Sequence, residues 1–381
     1  SDFLEPYIIQ TIYPIYSDKF FDGNLNANGG DSKNGFLLPV KKDYFDYFDI
    51  NDLLGIMPDG KKAIEINVAV TGGVNVTLRI PIKDNKYISY TRTYYPSVND
   101  YTILTPNEES NKGTVIENQF GLTLFPFIKS QTDYRIVLTD YDVKPHTKHN
   151  KYQLSFYTEN QMVETRDKKQ RSNKEHSTIT SEYYILENGF DYIVMTHNWA
   201  TGIIIPKFRT QPNGTSQFTF AIDFGTTNTH IEYSKDLTAP VPFEINENDI
   251  QIATLHNPDD SQTKLNLEAL SALAIDEIII KEFLPTLINK NTDFSFPQRT
   301  VINANKDLDL DKSTFSLANF NIPFNYEKTT GAGGSYNYTN LKWSNNKDDV
   351  KRIEAFLENL IFLIKNKVVI NEGDLNQNKL I

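Results

Sequence analysis

Two hydrophobic periods divide this chain. Over residues 1–215 apolar and polar positions alternate in short runs, the period of half-buried strands. The clearest pair is AIEINVAV at 63–70 and VNVTLRI at 74–80, which predicts a β-hairpin across Gly72 and Gly73. YISYTRTYY at 87–95 alternates in the same way. Further strands are predicted over 114–128, 134–139, 152–157, 177–186, 190–197 and 203–208. Glu187, Asn188 and Gly189 form a predicted hairpin turn between two of them. The segment ETRDKKQRSNKEH at 164–176 carries charges of both signs and predicts a solvated loop. Short strands at regular spacing, without a helical period among them, predict an all-β, sandwich-like domain over 1–215.

QPNGTS at 211–216 is turn-rich and marks a domain boundary. Beyond it the pattern changes. FTFAID at 218–223 and THIEY at 229–233 are strands around a tight turn. Residues 265–284 are dense in Leu, Ala and Ile and predict a helix, and 294–302 reads as a strand entered through Pro297. Val350, Ile353, Leu357, Leu360, Ile361 and Ile364 follow a helical period over 348–368. Lys379 to Ile381 begins another strand. The expected fold class is therefore mixed, with a second, α/β unit over 216–381.

Composition narrows the function. The chain has 38 basic and 49 acidic residues, a net charge of −11, which argues against duplex nucleic acid as a partner. It does not bear on a single nucleotide, whose phosphates need only local donors. There are no cysteines, so disulfides, thiolate metal sites and a cysteine nucleophile are excluded. SDFLEPYIIQ at the start has neither a basic n-region nor an apolar h-region, and no apolar run is long enough to span a membrane. The expected localisation is cytoplasmic, with no membrane partner.

The chemistry concentrates at residues 220–233, FAIDFGTTNTHIEY. The strand over 218–223 has an apolar centre and ends in Asp223, predicted to be held at the mouth of a cleft. Gly225 permits a positive φ or a close backbone approach. Thr226, Thr227 and Asn228 offer consecutive backbone N–H groups with hydroxyl and amide donors, a concave anion site. Asp223 would then hold Mg²⁺ through water, because magnesium gives up its hydration reluctantly.

These residues resemble the first phosphate loop of the actin, heat-shock chaperone and sugar-kinase ATPase superfamily. The chaperone branch, with an apolar strand followed by Asp-x-Gly-Thr-Thr-Asn-Ser, is the most similar, and Thr229 stands here in place of the serine. FPQRTVI at 296–302 resembles the strand after that hairpin. The helix from 348 and the strand at 375–381 resemble the end of the first lobe. The resemblance implies ATP and Mg²⁺ as ligands, phosphates cradled by Gly225, Thr226, Thr227 and Asn228, and a partial actin-like lobe. It also implies a chaperone-like or actin-like switch. The resemblance does not reach the β-domain, which is expected to bind a protein partner or client because such a module has no other obvious task on an ATPase.

The superfamily closes a second lobe over the nucleotide, with a second phosphate loop of the Asp-x-Gly-Gly-Gly-Thr kind. TGAGGS at 330–335 lacks the Asp and the apolar lead-in, and reads as a flexible loop. Phosphoryl transfer needs groups on both sides of the γ-phosphate, so this chain alone is not expected to hydrolyse ATP well, and no catalytic residue is assigned. The competing expectation is a non-catalytic β-rich interaction or structural protein. Other candidates read as ordinary structure. His146 and His149 lie in a basic loop, His230 packs on a strand, and Asp307, Asp309 and Asp311 form a solvated turn without the glycine and distal glutamate of a Ca²⁺ loop. Trp199 and Trp343 read as core or ordinary surface.

Overall fold

The structure is a computed structural model that describes residues 3–28, 32–70, 72–96, 111–130, 132–141, 151–170, 180–198, 200–212, 214–268, 284, 295–305, 335–377 and 379–380. Among the described residues it is a β-rich mixed fold of several sheets with few helices; most of 265–284, where a helix is predicted, lies outside them. Residues 146, 149, 199, 307, 309, 311 and 330–334, singled out above, lie outside the described residues.

Three sheets are built from residues 3–205, the third of them completed by Ala253–Thr254. The first has six strands and contains the expected hairpin, with Ile64–Val68 antiparallel to Val74–Ile82 and then to Lys86–Pro96. The second has four antiparallel strands, Gln161–Val163, Tyr152–Thr158, Tyr192–His197 and Ala200–Ile204. It is buried on both faces. Tyr192, Val194 and Ile203 face a core shared with the six-stranded sheet, while Ile193, Met195 and Ile204 face the other core. That alternation is the period of two set by the pleat. The third sheet has five strands and includes Phe120–Phe125, Tyr134–Asp140 and Thr180–Leu186.

Two expectations change here. Glu187 to Gly189 is not a hairpin turn. The strand before it pairs within the five-stranded sheet, and the strand after it pairs within the four-stranded one. Phe190 draws the chain across, its ring 5.6 Å from Tyr134, 5.2 Å from Phe156 and 5.2 Å from Phe208. The charged segment at 164–176 is not wholly a loop either, since Asp167–Gln170 is the edge strand beside Thr180–Leu186. An edge tolerates such charges, and lysines there discourage pairing with other chains. Lys168 lies 3.1 Å from Glu182 and 5.0 Å from the Tyr184 ring centre.

Past residue 216 the hairpin strands Phe218–Phe224 and Asn228–Lys235 form, as expected, with Lys379–Leu380 added in parallel along the first. The periodic segment near 348–368 is the helix Lys347–Ile370. It carries two stripes. Glu358, Phe362 and Lys365 meet Arg135, Phe125 and Asp133 of the first half, and the Phe362 and Phe125 rings are 5.2 Å apart. Phe356 and Lys367 meet Phe224 and Asp249 of the second half. The helix is thus packed between the five-stranded sheet and the hairpin sheet. Ala253–Thr254 returns to pair with Phe120–Phe125, and one buried cluster contains Leu124, Phe220 and Leu360 together. Among the described residues no helix is long and apolar enough to cross a membrane.

Candidate functional site

The hairpin sets the site. Asp223 lies opposite His230, and Phe224 lies opposite Thr229. One face is apolar and covered. Phe218, Phe220 and Ile231 are buried there, and the Phe224 ring is 5.5 Å from Phe356 on the long helix. The other face is open, carrying Ala221, Asp223, His230 and Glu232. Asp223 is therefore exposed on the open face of the hairpin. The run FTFAID hides an alternation, because Ala221 is apolar but small and faces outward. His230 Nε2 lies 3.4 Å from Glu232 Oε1 on this face.

The turn closes tightly. The Gly225 N–H donates to the Asn228 carbonyl at 3.1 Å. A Cβ on Gly225 would lie 2.5 Å from that oxygen, so the glycine is required by close approach and not by a left-handed φ. Gln298–Arg299 pairs along the second strand, with Arg299 opposite Asn228 and Gln298 opposite Thr229. The Thr300 N–H donates to the Thr227 carbonyl at 2.9 Å, and the Thr229 and Thr300 hydroxyls are 2.8 Å apart and buried. These bonds join the three segments at one corner.

Two hydrogen bonds decide what this corner presents. The indole N–H of Trp343 donates to Thr226 Oγ1 at 2.8 Å. An indole N–H can only donate, so the threonine oxygen accepts and its own proton is left to point elsewhere. The guanidinium of Arg299 donates from Nη1 to Asn228 Oδ1 at 3.0 Å. Arginine also can only donate, so the Asn228 oxygen is the acceptor and its NH₂ is turned away from Arg299. Each oxygen accepts one bond, which directs the Thr226 hydroxyl proton and the Asn228 NH₂ away from these two partners. With Arg299 adding a positive charge, the surface of residues 226–228 is suited to an anion.

The structure thus brings Gly225, Thr226, Thr227 and Asn228 together at one exposed corner, with Asp223 on the adjoining strand. The sequence reading missed Arg299 and Trp343 as members. Arg299 was legible only as part of the FPQRTVI strand, and nothing local marks Trp343, which is 117 residues from Thr226. Among the described residues no three His, Asp or Glu side chains converge as a metal site. Two clefts formed by described residues, about 360 Å³ beside Gly214 and Asp374 and about 410 Å³ beside Pro14 and Asp22, include no residue of the turn. No protein-family model matches the chain, and no curated protein matches it.

Proposed function

We propose that residues 225–228 are a phosphate-binding loop, and that the chain is a nucleotide-dependent switch protein of the actin, heat-shock chaperone and sugar-kinase ATPase type. The observation that supports this most is the pair of bonds from Trp343 to Thr226 Oγ1 and from Arg299 to Asn228 Oδ1, which sets a cationic side chain beside a turn rich in hydroxyl and amide groups. In this reading Gly225, Thr226, Thr227 and Asn228 cradle the phosphates, and Arg299 neutralises part of their charge. The exposed carboxylate of Asp223 fits an Mg²⁺ ion held through water. Mg-ATP, when bound, would supply the charge-neutralised polyphosphate and its hydrolysable anhydride. The chain's own residues bind and orient it, and none is assigned a proton transfer.

The hairpin sheet, the helix Lys347–Ile370 and the strand Lys379–Leu380 would form part of an actin-like lobe. The same helix offers a route to the β-sheets, from Phe224 to Phe356 on one side and from Glu358 to Arg135 on the other. A β-domain coupled in this way is where a protein partner or client would bind. The competing reading is a non-catalytic interaction or structural protein, and one observation favours it. Gly225 is required by hairpin closure alone, with or without a ligand.

Thermal unfolding with and without Mg-ATP separates the two. A ligand bound only by the folded state at about 100 times its Kd stabilises by roughly 2.7 kcal/mol. The switch reading expects a shift in the wild type that needs Mg²⁺ and is lost in Asp223→Ala. No shift at millimolar Mg-ATP supports the structural reading.

A further inference from the structure

We infer that Asn188 is a modification site, whose side-chain amide converts to aspartate and isoaspartate and so makes the chain a substrate for an isoaspartyl methyltransferase. Glu187, Asn188 and Gly189 have the composition of a hairpin turn but do not form one, because the strands on either side belong to different sheets. Asn188 is exposed in the bend between Thr180–Leu186 and Tyr192–His197. Among the described residues nothing accepts a hydrogen bond from the Gly189 N–H. That nitrogen is the nucleophile, held next to the amide by the chain itself. Glycine places no side chain in its way.

The chemistry balances with water alone. The Gly189 nitrogen attacks Asn188 Cγ, a new N–C bond closes a five-membered succinimide, and the side-chain NH₂ leaves with the displaced proton as ammonia. Water then opens the ring. Cleavage of the bond to Cγ gives aspartate, and cleavage of the bond to the main-chain carbonyl carbon gives isoaspartate. The fold keeps glycine here for a separate reason. A Cβ on Gly189 would lie 3.3 Å from the Ser130 carbonyl oxygen, closer than packing readily allows.

Asn34 and Gly35 form the same dipeptide in the opposite setting. Gly35 is buried, and its N–H donates to the Tyr13 carbonyl at 2.7 Å and to Thr11 Oγ1 at 3.0 Å. Asn34 is therefore shielded while Asn188 is not. The pairs at 28–29 and 213–214 each include a residue outside the described ones. The two products at 188 differ in consequence. Leu186 and Phe190 are fully buried on either side of the bend. Isoaspartate lengthens the main chain between them by one C–C bond of about 1.5 Å, whereas aspartate adds only an exposed charge.

The test incubates the full chain at mildly alkaline pH, folded and in guanidinium chloride, and follows positions 188 and 34 by peptide mapping. Methyl transfer from S-adenosylmethionine by an isoaspartyl methyltransferase marks the isoaspartate, and Asn188→Ser is the control that should lose it from that peptide. The expected result is conversion of Asn188 in the folded chain at a rate close to that of the unfolded chain. Asn34 should be slowed by folding roughly 10-fold or more, because its hydrogen bonds must open first. Asn188 slowed by folding as much as Asn34 overturns the site. The urea midpoint of the isoaspartyl chain should fall below that of Asn188→Asp, which should stay near wild type. Equal midpoints overturn the main-chain consequence while leaving the site standing.

Discussion

Lys367 Nζ lies 2.5 Å from Asp249 Oδ2, and both side chains are only 5% exposed. The ammonium also donates to the Glu244 carbonyl at 2.9 Å, and Asn371 Nδ2 donates to the other Asp249 oxygen at 3.2 Å. This network fastens the long helix to the segment that follows the hairpin. Removing one partner leaves an uncompensated buried charge, which costs far more than the pair contributes. Asp249→Ala is therefore expected to lower unfolding free energy by about 3–5 kcal/mol. The double variant Asp249→Ala, Lys367→Met should lose clearly less than the sum of the two single changes. Urea midpoints read both effects, and strictly additive losses would refute the coupling.

The other side of the helix is held by Glu358. Its Oε1 accepts from Arg135 at 3.3 Å and also from Arg166. Arg135 is nearly buried, its guanidinium 4.4 Å from the Phe362 ring centre, whereas Arg166 is at the rim. Burial decides the order of effects. Glu358→Ala strands the Arg135 charge and is expected to cost about 2–3 kcal/mol, while Arg166→Ala removes a screened contact and should cost under about 1 kcal/mol. Hydrogen exchange along Lys347–Ile370 should quicken in the first variant and stay near wild type in the second. The reverse order would mean that Arg166 carries the attachment.

His197 gives the molecule a pH dependence. Burial, with Lys151 adding to it, pushes this imidazole down from 6.5 to about 4. The Asn198 side-chain nitrogen lies 3.1 Å from Nε2, and an amide nitrogen donates, so that ring nitrogen accepts and carries no proton. Between about pH 6.5 and 4 the unfolded chain binds a proton that the folded chain refuses. This contribution is complete above pH 6.5 and is lost as pH falls toward 4, by roughly 2 kcal/mol after screening at a partly exposed ring. His197→Gln should flatten that part of the stability profile measured by urea unfolding across the range. An unchanged slope in the variant would assign the acid loss to other groups.

The elements legible in the sequence are those whose signal is local. The hairpin at 64–82, the hairpin around Gly225 and the helix Lys347–Ile370 each show their period within their own residues. The elements that were not legible depend on distant partners. Phe190 turns a supposed hairpin into a crossing because Tyr134, Phe156 and Phe208 surround it. Asp167–Gln170 is a strand because Thr180–Leu186 offers it an edge, against its own charge. The same holds at the corner. The composition of residues 225–228 marks donors, but the bonds that orient them come from Arg299, 71 residues on, and Trp343, 117 residues on.

The end of the long helix yields a pair of opposite expectations at one contact. The Gly373 N–H bonds the Val368 carbonyl at 2.8 Å and the Glu372 N–H bonds the Val369 carbonyl at 3.3 Å. This is a Schellman cap, in which the residue at the left-handed position is most often glycine. Here that residue is Glu372, at φ 61°. Its Cβ makes the conformation costly, so Glu372→Gly should stabilise the protein by about 1 kcal/mol. The linker packs against the same residue. A Cβ on Gly214 would fall 1.7 Å from the Glu372 carbonyl oxygen, and the Ser216 N–H donates to that carbonyl at 3.1 Å. No side chain fits unless this backbone moves. Gly214→Ala is therefore expected to destabilise by more than about 2 kcal/mol, as overpacking against backbone does. Urea unfolding of the two variants beside the wild type checks both signs. A neutral Gly214→Ala would show that the linker at 211–216 is not docked on the helix end, and a destabilising Glu372→Gly would show that the glutamate side chain contributes more than its backbone strain costs.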